Sequence, residues 1–162
     1  GNDSELPRDA FDVPALVARD FAVRPDARWA VIGLSEGAMC AVRLTLTDPV
    51  QFAAAISLSG SDAPDAPALT RTAADRKANN LCTLAAEGAA PPVDLLLAGT
   101  RQDPGTAPDA EALRSAAGAG VHADLEILDH GGHNWRVWQQ MTPPALTWLG
   151  AHWPGTAAGR RA

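Results

Sequence analysis

The chain has 162 residues, enough for one domain with a real core, and its 46% hydrophobic and 20% charged content excludes a disordered or fibrous polypeptide. A formal net charge of -6 argues against nucleic acid or an anionic membrane surface as the main partner. Two cysteines, Cys40 and Cys82, are too few for a disulfide scaffold or a zinc site, and no motif in the sequence implies another metal or an organic cofactor. No apolar run approaches the roughly 20 residues of a membrane span. The opening GNDSEL carries no signal-peptide pattern, but it also lacks a Met, so the compartment stays open between cytoplasmic and secreted.

Residues Asp12 to Phe21 (DVPALVARDF) place Val13, Leu16, Val17 and Phe21 on one face at helical spacing, with Pro14 in the first turn. RPDAR breaks that pattern, and Trp29 to Leu34 reads as a buried strand. Glu36 to Thr47 reads as a helix closed by Asp48 and Pro49. Phe52 to Leu58 (FAAAISL) is a second strand, ended by SGSD. Ser61 to Pro67 is loop-like, and Ala68 to Ala86 predicts a helix weakened by Asn79 and Asn80. Pro91 and Pro92 introduce a third strand, Val93 to Ala98. The loop GTRQDPGTAPD leads to a helix from Ala110 to Ala117, ended by GAG. Ala123 to Leu128 is a fourth strand. After HGGHNW comes an amphipathic segment with Trp138, Leu146, Leu149 and Trp153, interrupted by Pro143 and Pro144. The tail at 155–162 (GTAAGRRA) reads as frayed. Apolar runs alternating with helices predict the α/β class: a mostly parallel sheet with helices on both faces, in one domain over 1–154.

In open α/β sheets, sites form at the carboxyl ends of the strands. Ser35 in GLSEG follows the first strand, Asp103 in GTRQDPG the third, and His133 in HGGHNW the fourth. The order Ser, Asp, His is the one expected of a hydrolase triad on this scaffold. A serine hydroxyl needs a base to take its proton, an imidazole can do so, and a carboxylate fixes the imidazole tautomer. Gly33 and Gly37 relieve crowding at a sharp turn, and the Glu36 N–H is one candidate oxyanion donor. Asp62 and Asp129 rival Asp103 for the acid role, and His130 rivals His133 as the base. His122 and His152 are expected on the surface. Trp135 and Trp138 are candidate walls of an acyl pocket, beside a plainer role in packing.

WAVIGLSEGAMCAVRLTLTDPVQFAAAISLSG resembles the nucleophile region of an esterase family of α/β-hydrolases. That family includes esterase D (S-formylglutathione hydrolase), feruloyl esterases and the mycolyltransferases. VDLLLAGTRQDPG and LDHGGHNWRVWQQMTPPALTWL resemble its acid loop and histidine segment, so the likeness covers nearly the whole chain. It implies an α/β-hydrolase fold with Ser35 as nucleophile, Asp103 as acid and His133 as base, and it favours His133 over His130 and Asp103 over Asp129. Ala38 stands where the family has the second glycine of a pair, and Glu36 where it has Met or Tyr. The family's longer sheet implies that further strands, and a loop with a second oxyanion N–H, would precede Gly1. The resulting expectation is a serine esterase acting on a small-molecule ester through an acyl-enzyme. An acyltransferase of mycolyltransferase type and a non-catalytic hydrolase-like fragment are the alternatives. An open sheet edge would suit a homodimer.

Overall fold

A short apolar strand is buried on both faces only when helices cover both sides of its sheet and other strands flank it. The computed structural model describes residues 9–24, 26–63 and 70–152 and builds such a sheet. Its strands are β1 (Trp29–Leu34), β2 (Phe52–Leu58), β3 (Val93–Thr100) and β4 (Val121–Leu128). They pair in the order β1-β2-β3-β4, each pairing parallel. The helices among the described residues are α1 (Asp9–Asp20), α2 (Glu36–Thr47), α3 (Ala73–Asn79), α4 (Leu81–Glu87), α5 (Thr106–Ala116) and α6 (Trp135–His152).

Side chains alternate across the sheet with a period of two. Ala55, Leu95 and Leu97 point to one face and pack with Met39 and Val42 of α2, Leu81 of α4 and Leu113 of α5. Ile56, Leu58, Leu96 and Ala98 point to the other and meet Val137, Met141 and Ala145 of α6. Helices therefore cover both faces, and every residue of β2 is buried. The guanidinium of Arg28 ties the entry ends of three strands together through the carbonyls of Pro49, Phe52 and Pro92.

Several sequence expectations shift in detail. β1 is half-buried, with Ile32 46% exposed, because it is an edge strand. Pro14 lies inside α1, past its first turn, and Val13, Leu16 and Phe21 stay exposed. The helix expected over 68–86 is two helices. A capping box between Thr72 and Asp75 starts α3, and the Asn80 side chain accepts the Thr83 N–H to start α4 anew. α6 runs straight through Pro143 and Pro144. The carbonyls those prolines cannot bond belong to Gln139 and Gln140, both exposed to water. Cys40 and Cys82 are free, half-buried thiols. The expectations for Trp153, for 64–69 and for the 155–162 tail fall outside the described residues.

The turn from β1 into α2 depends on one glycine. A Cβ on Gly33 would sit 2.0 Å from the Gly37 carbonyl oxygen, whereas a Cβ on Gly37 would meet nothing within 4 Å. The crowding expected at both positions exists only at Gly33. Accordingly, Gly33→Ala is expected to unfold the chain or lower its midpoint sharply in urea. Gly37→Ala is expected to be neutral or to gain about 0.5–1 kcal/mol from helix propensity. In the same measurement Leu97→Ala, in the fully packed β3, is expected to cost about 2–5 kcal/mol. Leu146→Ala, on the exposed face of α6, should stay within about 0.5 kcal/mol.

Candidate active site

Ser35 follows β1 directly. Its N–H donates to the Leu58 carbonyl at 2.9 Å, continuing the strand pairing by one residue. Its own carbonyl accepts the Ala38 and Met39 N–H groups at 2.9 and 3.3 Å, which begins α2. The residue between these commitments sits at φ 55°, ψ -124°, a left-handed backbone that costs a non-glycine residue about 1–3 kcal/mol. Glu36 and Gly37 are the first residues of α2, so their N–H groups have no intrahelical acceptor.

The acid and histidine loops leave β3 and β4, which pair through Thr100 and Leu128. Two side chains bind these loops together. Thr100, fully buried, donates from Oγ1 to the Gly131 carbonyl and accepts the Asp103 N–H on the same oxygen. Gln102 accepts the Gly131 N–H and meets Nδ1 of His130 at 3.1 Å. Gly131 needs its positive φ of 121° there, and a Cβ on it would press 2.7 Å from Val137.

These loops bring three predicted residues into one line. His133 Nε2 lies 2.7 Å from Ser35 Oγ, and His133 Nδ1 lies 2.8 Å from Asp103 Oδ2. An ionised carboxylate only accepts, so it selects the tautomer with the proton on Nδ1 and leaves the Nε2 lone pair facing the serine hydroxyl. Asp103 is 6% exposed, while the His133 side chain is 41% exposed and reachable from solvent. The edge of the Trp138 indole meets the His133 ring at a centroid separation of 5.2 Å.

A cleft of about 270 Å³ opens beside the serine, lined by Ser35, Glu36, Asp103 and His133 together with Ser59 and Asp109. Trp135 and Trp138 are not part of that lining. Trp138 instead packs on the α6 side of the sheet, and Trp135 is 60% exposed with its edge against Trp138. The rival acids, and the two histidines expected on the surface, have other partners. Asp129 pairs with Arg101 at 3.4 Å, His122 with Asp94 at 3.2 Å and His152 with Asp124 at 3.5 Å. Asp62 lines an adjoining crevice, where it accepts from the Cys82 thiol and donates its N–H to Asp109. Burial, then the charge of Asp62, pushes the Cys82 thiol up to about 11 and also raises the Asp109 carboxyl above its usual range.

Sequence reasoning passed over Ser59 and Asp109. Ser59 stands at the carboxyl end of β2 just as Ser35 does at β1, so its strand-end position was a legible signal. Asp109 falls in the loop GTRQDPGTAPD when the helix is expected from Ala110, whereas α5 begins at Thr106 and includes it. Among the described residues no three His, Cys, Asp or Glu side chains gather as a metal site, and no helix is long and apolar enough to cross a membrane.

Solved structures of similar fold include an S-formylglutathione hydrolase from Agrobacterium tumefaciens, at TM-score 0.70 and 22% identity over 85% of this chain and 53% of that one. A ferulic acid esterase superposes at TM-score 0.56 with 20% identity over 85% of this chain and 57% of that one. Acetyl xylan esterase 1 from Thermoanaerobacterium sp. does so at TM-score 0.55 with 14% identity, over 84% and 50%. At these identities the likeness is one of fold, and it makes the parallel sheet part of an α/β-hydrolase architecture. The chain spans about half the length of these structures. No curated protein sequence matches it at a significant level. A family model described as Putative esterase matches residues 10–149, and the chain belongs to that family.

Proposed function

We propose that this chain hydrolyses a carboxylic ester through an acyl-enzyme on Ser35. The observation that carries the reading is the unbroken hydrogen-bond line from Ser35 Oγ through His133 to the buried Asp103. Family membership supports the ester as the bond attacked.

In the proposed reaction, Ser35 Oγ attacks the ester carbonyl carbon while its proton passes to His133 Nε2. Asp103 stabilises the imidazolium through the Nδ1–H bond. Negative charge develops on the former carbonyl oxygen, for which the free N–H groups at the start of α2, Glu36 first, are the donors in reach of the serine. The C–O bond to the alcohol then breaks, and His133 returns the proton to the departing oxygen. A water, deprotonated by His133, attacks the acyl-enzyme. Ser35 leaves with that proton restored, and the free acid departs. The strained backbone of Ser35 holds Oγ at this point without side-chain reorganisation.

Hydrolysis of p-nitrophenyl butanoate tests the reading. Ser35→Ala is expected to lower kcat at least about 10⁴-fold and to abolish labelling by a fluorophosphonate, and Asp103→Asn to lower kcat about 10⁴-fold with the fold intact. Turnover that survives in purified Ser35→Ala sinks the proposal. Thr100→Val, nearly isosteric, removes the hydroxyl that joins the acid and histidine loops. It is expected to cost about 1–3 kcal/mol in urea unfolding and to reduce kcat more than it changes KM.

A further inference from the structure

Ser59 repeats the geometry of Ser35 one strand over. The β1–β2 register pairs Leu34 with Leu58, so the two serines leave adjacent strands side by side. Ser59 donates its N–H to the Ala98 carbonyl at 2.8 Å, and its φ is 56°. One hydroxyl of the pair meets His133. The other belongs to a residue only 2% exposed, has no hydrogen-bond partner among the described residues, and borders the same cleft. An unsatisfied buried hydroxyl forfeits its hydration without recompense, and the left-handed backbone adds to that cost. Ser59 thus carries two local penalties that no hydrogen bond among the described residues offsets.

The charge of the cleft is equally one-sided. Its lining includes Glu36, Asp103 and Asp109 and, among the described residues, no Lys or Arg. Asp103 is engaged by His133, whereas among the described residues Asp109 accepts only the Asp62 N–H, at 3.3 Å. Among the described residues no cationic side chain pairs with Glu36, Asp62 or Asp109. Burial and the charge of Asp62 both disfavour the Asp109 carboxylate, and an incoming cation would relieve both. A cleft walled by low-dielectric groups and lined with one sign of charge concentrates the opposite charge.

We infer that the side of the cleft bearing Ser59 and Asp109 is a subsite for a protonated amine carried by the ester substrate. The inference rests on the esterase reading only for the identity of the bond cleaved. The ammonium N–H groups donate to the Asp109 carboxylate and the Ser59 hydroxyl, and Glu36 adds attraction at the mouth. A neutral group gains only the Ser59 hydrogen bond. A carboxylate in the same place meets like charge.

Matched esters test this on the full chain, with kcat/KM compared within each pair. For an amine on the acyl side, the pair is p-nitrophenyl 3-aminopropanoate and p-nitrophenyl butanoate. For one on the alcohol side, it is 2-(dimethylamino)ethyl butanoate and 3-methylbutyl butanoate, followed by acid release. In at least one pair the ratio of charged to neutral ester should fall fivefold or more in Asp109→Asn relative to the parent chain. Comparing the same two esters between chains cancels their intrinsic reactivity. Ratios within twofold of the parent in both pairs overturn the subsite.

Binding gives a second readout that needs no turnover. In Ser35→Ala, methyl 3-aminopropanoate should shift amide NMR signals around Ser59 and Asp109 at a concentration where methyl butanoate does not, and added salt should weaken it. Equal binding of the two esters overturns the subsite. If the parent chain cleaves none of the esters, the esterase reading fails, and this binding comparison alone decides the inference.

Discussion

The hydrogen bond from the Ser35 N–H to the Leu58 carbonyl organises the rest of the site. It extends the parallel pairing one residue past β1, so the chain has no extended residue left in which to turn. The residues that follow already belong to α2, whose Ala38 and Met39 N–H groups bond back to the Ser35 carbonyl. A single residue must absorb the change of direction, and it does so at positive φ. The cost is offset by those bonds and by the packing of α2 over β2, where Ala38 is fully buried. Gly33 and Gly60 let α2 approach closely enough, since a Cβ on either would strike the backbone or side chains of this turn.

A parallel sheet gathers its strand exits at one edge, which is why residues far apart in the chain meet there. Ser35 and His133 are 98 positions apart, yet their strands leave the same side of the sheet. Asp103 and His133 are joined less by each other than by their loops. Thr100 and Gln102, both in the β3 exit, bond to the backbone of the β4 exit. The carboxyl end of the line is buried, and the imidazole end opens to solvent beside the cleft.

The central strands and the margins differ sharply. β2 and β3 are flanked on both sides and covered on both faces, and they hold most of the core. β1 carries the serine and is at the same time an edge, with Ile32 partly open. Val13 and Leu16 of α1 also stay exposed. The apolar pattern of these segments therefore exceeds the burial that the described residues provide.

The sequence by itself determined the strands, the order of Ser, Asp and His after them, and the class of fold. Short continuous apolar runs and glycine-bounded turns are local features, so FAAAISL and GLSEG can be read without knowing their neighbours. It also placed Ser35, Asp103 and His133 each at a strand exit. What it left open was set by long-range packing. Gly33 and Gly37 look alike in the motif, and only the approach of α2 to β1 separates them. Asp103 and Asp62 both follow strands, but only the β3 exit is tied by Thr100 to the histidine loop. Trp135 and Trp138 lie next to His133 in sequence, yet the direction of α6 turns one to solvent and the other onto the sheet. The unpaired hydroxyl of Ser59 became visible only in three dimensions, because burial and hydrogen-bond satisfaction are properties of the whole packed sheet and not of the segment SLSG.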